Sequence, residues 1–248
     1  MKKSLEQVLQ HPAVWQASRG HRPRRAIATG FPGLDRELHD GGWPEAASTE
    51  LLTEQTGIGE LRLLLPALRR KLVQKPLLAF LAPPHLPYAP ALMAEDIDPQ
   101  NILVVRPRST REWLWSADQI LRSGACGALI SWACQTALGD RDLRMLQQAA
   151  HQGDCWHALF RHSREALHSS PSALRLTLVP DQENPQRLSV NILKQRGGWG
   201  GQCVTIALGH EAQRHPLQAP EALPVHFAQL PSLRRRSPLQ PTTVTAIG

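Results

Sequence analysis

Residues 51–66 read LLTEQTGIGELRLLLP. An apolar run enters a stretch holding Gly57 and Gly59, and an amphipathic segment leaves it. Strand, glycine-bearing turn and helix, in that order, form the setting in which backbone N–H groups and a helix N-terminus cradle a phosphate. The phosphate-loop pattern G-x-x-x-x-G-K-[ST] needs a lysine straight after its last glycine, then a hydroxyl. Here Gly59 is followed by Glu60 and Leu61, and no lysine lies between Glu50 and Arg62. A carboxylate facing a polyphosphate repels it. The expectation is a degenerate phosphate loop marked by Thr53, Gly57, Gly59 and Glu60, holding no cofactor.

On both sides of the loop, apolar runs alternate with helical patterns. Residues 48–52 read as a strand, 59–74 as a helix with Leu61, Leu64, Leu65, Leu68 and Leu72 on one face, and 77–82 as a strand closed by Pro83 and Pro84. A helix at 88–95 and a strand at 102–106 follow. The next helix, 110–123, has Ser109 or Thr110 as its cap and turns Leu114, Ala117, Ile120 and Leu121 inward. GALISW at 127–132 is a continuous apolar strand of the kind buried on both faces. A helix at 140–152, capped near Gly139, and a strand at 155–160 complete the alternation. Such a rhythm predicts right-handed crossovers and a mostly parallel sheet flanked by helices. Residues 174–180 and 187–196 instead alternate with period two about the turn DQENPQ, and 203–208 follow GGWGG. Antiparallel strands therefore end an α/β fold.

The chain has 248 residues, 42% of them hydrophobic and 20% charged, with a formal charge of +7. One domain with tails fits that length, and no apolar run approaches the ~20 residues that span a bilayer. The first sixteen residues carry no apolar stretch of the signal-peptide kind. A cytoplasmic protein is expected. Residues 1–25 hold six basic residues against one acidic, 211–248 hold four against two, and 26–210 balance at eighteen each. The organisation expected is an N-terminal helix over 4–16 with a basic linker to 25, a core over 26–210, and a disordered Pro-rich basic tail over 211–248.

With this order in place, TGFPGLDRELHDGGWPEAASTELL at 29–52 resembles the recombinase segment TG-x-x-x-LD-x-x-L-x-x-GG-x-P-x-G through Thr29, Gly30, Leu34, Asp35, Leu38, Gly41, Gly42 and Pro44. The resemblance implies a RecA-like core over roughly 26–206. GIGELRLLLPAL, APPHLPYAPAL and ILRSGACGALISW are similar to the ImuA family, the RecA- and SulA-related accessory proteins of bacterial mutagenesis cassettes. An active RecA-like ATPase also carries a glutamate after its second strand and a metal-positioning aspartate on its central strand. Pro83–Pro84 and Ser131–Trp132 stand there instead.

The resemblance implies a non-catalytic adaptor in SOS-inducible, error-prone translesion synthesis, nucleoid-associated when engaged at damage. Its partners would be an ImuB-type inactive Y-family polymerase homologue and an error-prone polymerase subunit, with RecA as a further candidate. DNA contact would be weak or indirect, and no membrane is involved. Inhibition of cell division through FtsZ, as in SulA, is the alternative; an ATP-dependent recombinase is the third reading. Candidate partner or DNA contacts are Arg22, Arg24 and Arg25, Arg161 and Arg164 in the connection 161–171, Lys194, Arg196 and Trp199 around the glycine-rich turn, and Arg234, Arg235 and Arg236.

The remaining residues have plainer readings. The four cysteines read as small buried hydrophobes without metal spacing. His157, within an apolar strand, reads as a satisfied core residue. No G-x-S-x-G elbow surrounds Ser131, so it is not expected to act as a nucleophile. Trp113 and Trp115 cannot share a helix face, so one should be buried and the other exposed.

Overall fold

The structure, a computed structural model, describes residues 25–134 and 136–209. The expected helix over 4–16, Arg22, Arg24, the tail 211–248 and its Arg234, Arg235 and Arg236 lie outside the described residues.

The strands are β1 (Ala26–Ile27), β2 (Trp43–Pro44), β3 (Ser48–Thr53), β4 (Leu77–Leu81), β5 (Ile102–Val105), β6 (Cys126–Trp132), β7 (Trp156–His162), β8 (Leu174–Pro180), β9 (Arg187–Gln195) and β10 (Cys203–Ala207). The helices are α1 (Pro32–Glu37), α2 (Glu60–Leu72), α3 (Ala89–Met93), α4 (Thr110–Arg122) and α5 (Asp140–Gln152). Eight strands form one sheet in the order β10-β9-β8-β3-β7-β6-β4-β5. Neighbours from β8 through to β5 pair in parallel, while β8–β9 and β9–β10 pair antiparallel. The protein is therefore α/β with a mostly parallel sheet, and the order is compatible with a RecA-like core. The ribbon β1–β2 stands apart. Two-residue strands leave no periodicity to read.

Two apolar layers hold the helices to the sheet. On one face Leu63, Leu64, Ala67 and Leu68 of α2 join Leu51, Phe80, Ile130 and Phe160. On the other, Trp113, Ala117 and Leu121 of α4 and Leu143, Leu146 and Ala149 of α5 cover Ala79, Leu129 and Leu159. β4 and β6, each with a strand on both sides, are buried almost throughout, as their continuous apolar runs require.

The helix faces differ from expectation. The stripe that α2 buries is Leu63, Leu64, Ala67, Leu68 and Lys71, while Leu61, Leu65 and Leu72 are only partly buried. Lys71 is tolerated inside because its Nζ lies 3.0 Å from Glu45 Oε1. In α4 the buried residues are Trp113, Ser116, Ala117 and Leu121; Leu114 and Ile120 pack at its margins. Ser109 caps it by accepting the Glu112 N–H at 3.2 Å. Trp113 is buried and Trp115 exposed, as spacing demanded. Cys126 and Cys155 are buried, but Cys134 is half-buried and Cys203 is exposed, since β10 is an edge strand. Among the described residues no helix is long and apolar enough to cross a membrane.

Candidate functional site

The parallel strands point their carboxyl ends at one edge, where an open α/β sheet commonly builds a ligand crevice. The loop after β3 emerges there, and its four marker residues come together. Thr53 Oγ1 donates to the Gln55 carbonyl at 2.8 Å and accepts the Gln55 N–H at 3.3 Å, closing the first turn. Gly57 and Gly59 hold φ of +82° and +88°, a left-handed backbone that a side chain would strain. At Gly59 a Cβ would also stand 2.5 Å from Leu208 Cδ1. Gly59 is the N-cap of α2 and supplies no side-chain cap.

What fills the loop is the chain itself. Glu60, buried at 7% exposure, accepts the Gly57 N–H through Oε1 at 3.0 Å. Its carboxylate sits in the first turn of α2, where the helix dipole favours negative charge. The Gly57 N–H is thus already satisfied by a carboxylate of the same loop.

Beside the loop opens a cleft of about 380 Å³ lined by Gly57, Glu60, Arg62, Pro83, Pro84, Leu86, Tyr88 and Trp132 among others. Trp132 stacks on Phe160 and Phe80, with centroids 5.2 and 6.1 Å apart, and its Nε1 has no hydrogen-bond partner. Ala82, leading into Pro83, has φ of +52°. A non-glycine residue held there at the mouth of a cleft marks strain that the fold maintains.

Behind the loop lies a buried polar network that sequence reasoning missed. Glu50, in register with Arg175, is fully buried. It accepts hydrogen bonds from Arg161 Nη1 at 3.2 Å, Ser172 Oγ at 2.6 Å and Ser170 Oγ, and Arg175 Nε lies 3.4 Å away. Arg161 Nη2 also reaches Glu165 at 2.9 Å, and Arg175 donates to the carbonyls of Glu165 and His168 at 2.7 and 2.8 Å. Burial raises the Glu50 carboxyl, but the two serines and two guanidinia outweigh it and leave it below the usual carboxylate range. The effect is a clamp that ties the β7–β8 connection to the sheet. A lone glutamate in the strand STELLT and a lone arginine in LRLTL were the available signal, since a charge in a buried strand requires a partner.

His157 belongs to the same face. Its Nδ1 lies 2.9 Å from Ser48 Oγ and its Nε2 lies 2.8 Å from Ser131 Oγ. All three residues are buried, and burial lowers the imidazole pKa to about 3. His157 is thus a satisfied, neutral core residue. Ser131 has no access to a substrate.

The other candidate contacts divide into three groups. Arg161 is corrected: it is buried in β7 and paired with Glu50 and Glu165, because β7 runs two residues beyond the expected strand end. Arg164 stays exposed at the carboxyl edge, 3.6 Å from Glu165. Arg25 and Arg196 meet at the opposite edge, where both line a cleft of about 640 Å³. Gln195 donates to the Trp199 carbonyl beside them at 2.7 Å, and Trp199 is 86% exposed. Lys194, next along β9, donates to the Ser170 carbonyl. This cleft is larger, but its charges already pair: Arg25 with Glu45 at 2.9 Å, and Lys75 with Asp154 at 3.3 Å. Among the described residues no cluster of His, Cys, Asp or Glu is arranged to hold a metal ion. No protein-family model matches the chain, and no curated protein is similar to it.

Proposed function

We propose that this protein is a non-catalytic accessory factor with a RecA-like core and a degenerate phosphate loop, acting through protein partners in SOS-inducible, error-prone translesion DNA synthesis. The observation that carries the non-catalytic part is the Gly57 N–H to Glu60 carboxylate bond at 3.0 Å. A loop whose own carboxylate holds its Gly57 N–H meets a nucleotide triphosphate with repulsion, and the first residues of α2 offer neither lysine nor hydroxyl in compensation. The strand order β5-β4-β6-β7-β3-β8-β9-β10 supports the RecA-like reading, since it places the loop after a central strand. The translesion assignment rests on the resemblance of residues 29–52 and the three later blocks to the recombinase and ImuA patterns.

A tagged full chain recovered from DNA-damaged cells of the source organism tests this reading. An ImuB-type Y-family polymerase homologue and an error-prone polymerase subunit should copurify. Recovery of FtsZ in their place would move the protein to the division-inhibitor class.

A further inference from the structure

We infer that the carboxyl edge of β4 and β5 is a docking surface for an acidic, apolar-bearing peptide segment of a partner protein. The inference deepens the accessory reading and rests on it in taking the ligand to be a protein.

β4 and β5 pair with Leu81 opposite Val105, and the Ala82 N–H donates to the Val105 carbonyl at 2.8 Å. That register sets the segment Pro83–Tyr88 beside the segment Arg106–Arg111. The first is apolar and open: Leu86 is 50% exposed and Tyr88 70%, on a rim of prolines above the cleft. The second reads RPRSTR. Arg106, Arg108 and Arg111 are exposed, as is Arg62 on the cleft wall, and among the described residues none of these four guanidinia has a side-chain partner. The two acidic groups at this edge are already engaged by backbone. Glu60 accepts from Gly57, and Glu112 accepts the Arg108 N–H at 2.8 Å.

Elsewhere Arg25, Arg69, Arg122, Arg161 and Arg175 pair with carboxylates, while Arg36, Arg70, Arg141 and Arg187, whose side chains meet no carboxylate among the described residues, are scattered over α1, α2, α5 and β9. Unpaired cations gathered around an exposed apolar ledge are complementary to carboxylates interspersed with apolar side chains. Tyr88 and arginine are also the residue types that most often anchor an interface. Nucleic acid fits less well. Among the residues lining the cleft, Tyr88 is the one exposed Phe, Tyr or Trp ring, too few for a base-stacking platform.

The test is selection of a naive displayed dodecapeptide library against the immobilised full chain, followed by fluorescence-polarisation affinities of the enriched peptides. The surface predicts peptides rich in Asp or Glu with Leu, Pro or aromatic residues. Their affinity should fall by at least about tenfold in Arg106→Glu/Arg108→Glu and severalfold in Tyr88→Ala. All three side chains are exposed, and unchanged circular dichroism and melting would certify folding of the variants. Enriched peptides without acidic excess, or ones that bind the double variant equally well, would overturn the inference. So would tighter binding of labelled oligothymidine than of any peptide, lost in the same variant, since the ligand would then be nucleic acid. Acid-rich peptides bound here while damaged cells yield no polymerase-type partner would keep the surface and remove the translesion role.

Discussion

Two regions of one sheet, around β3 and at the carboxyl ends of β4 and β5, treat charge in opposite ways. Around Glu50 every charged side chain has a partner, and Glu50, Arg161 and Arg175 are buried. At the carboxyl edge, Arg62, Arg106, Arg108 and Arg111 are exposed and have no side-chain partner among the described residues. Burial explains the contrast. A charge withdrawn from water must be matched by partners of fitting geometry, whereas a solvated one needs none. The buried set can therefore only hold the fold together, and the exposed set remains available to something outside it. Glu60 combines the two, a buried carboxylate in a loop whose Gly57 N–H it satisfies.

The largest effect should come from the buried side. Glu50→Ala leaves Arg161 and Arg175 with uncompensated charge and should cost about 3–5 kcal/mol in urea unfolding. A loss under about 1 kcal/mol would mean that water already reaches the network.

Next is pH. His157 stays neutral in the fold down to about 3 but accepts a proton near its ordinary 6.5 once unfolded. Between those values the unfolded state holds the extra proton, so stability falls as pH drops, by up to about 1.4 kcal/mol per pH unit. Glu50 adds to this limb below its ordinary 4.5, because its depressed carboxyl contributes stability only while ionised. Urea unfolding between pH 7 and 5 should show the slope, and His157→Gln, though less stable at pH 7, should flatten it. An equal slope in the variant would place the titration elsewhere.

A smaller effect is expected in the loop. Glu60→Ala removes the acceptor of the Gly57 N–H and the favourable charge at the start of α2, costing about 1–2 kcal/mol. It should also let the loop bind pyrophosphate weakly, which the parent chain should not do; calorimetric titration of both reads the difference. Smallest are Tyr88→Ala and the double arginine reversal, each expected within about 0.5 kcal/mol of the parent in thermal unfolding. If those exposed positions were instead strongly destabilising, the edge would be structural and the comparison would collapse.

Much of this was legible in the sequence for definite reasons. β4 and β6 read as parallel strands because both faces are apolar, and β8 and β9 read as antiparallel because their apolar residues alternate. Gly57, Gly59 and Glu60 announced the loop by spacing alone. The Glu50 network stayed hidden because Glu50 lies more than a hundred residues from its partners and meets them only through the pairing of β3 with β7 and β8. Arg161 was misplaced for the same reason: its surface-loop reading assumed that the strand ended at Phe160. The Arg106–Arg111 rim was equally invisible, since only the β4–β5 register brings it beside Pro83 and Tyr88.

The measurement that bears most directly on the central claim is a calorimetric titration of magnesium ATP into the full chain. A loop closed by Glu60 predicts no saturable heat up to millimolar nucleotide, and the same result with ADP. Saturable micromolar binding, weakened by disruption of the Gly57–Gly59 turn, would contradict it and make the loop a working nucleotide site.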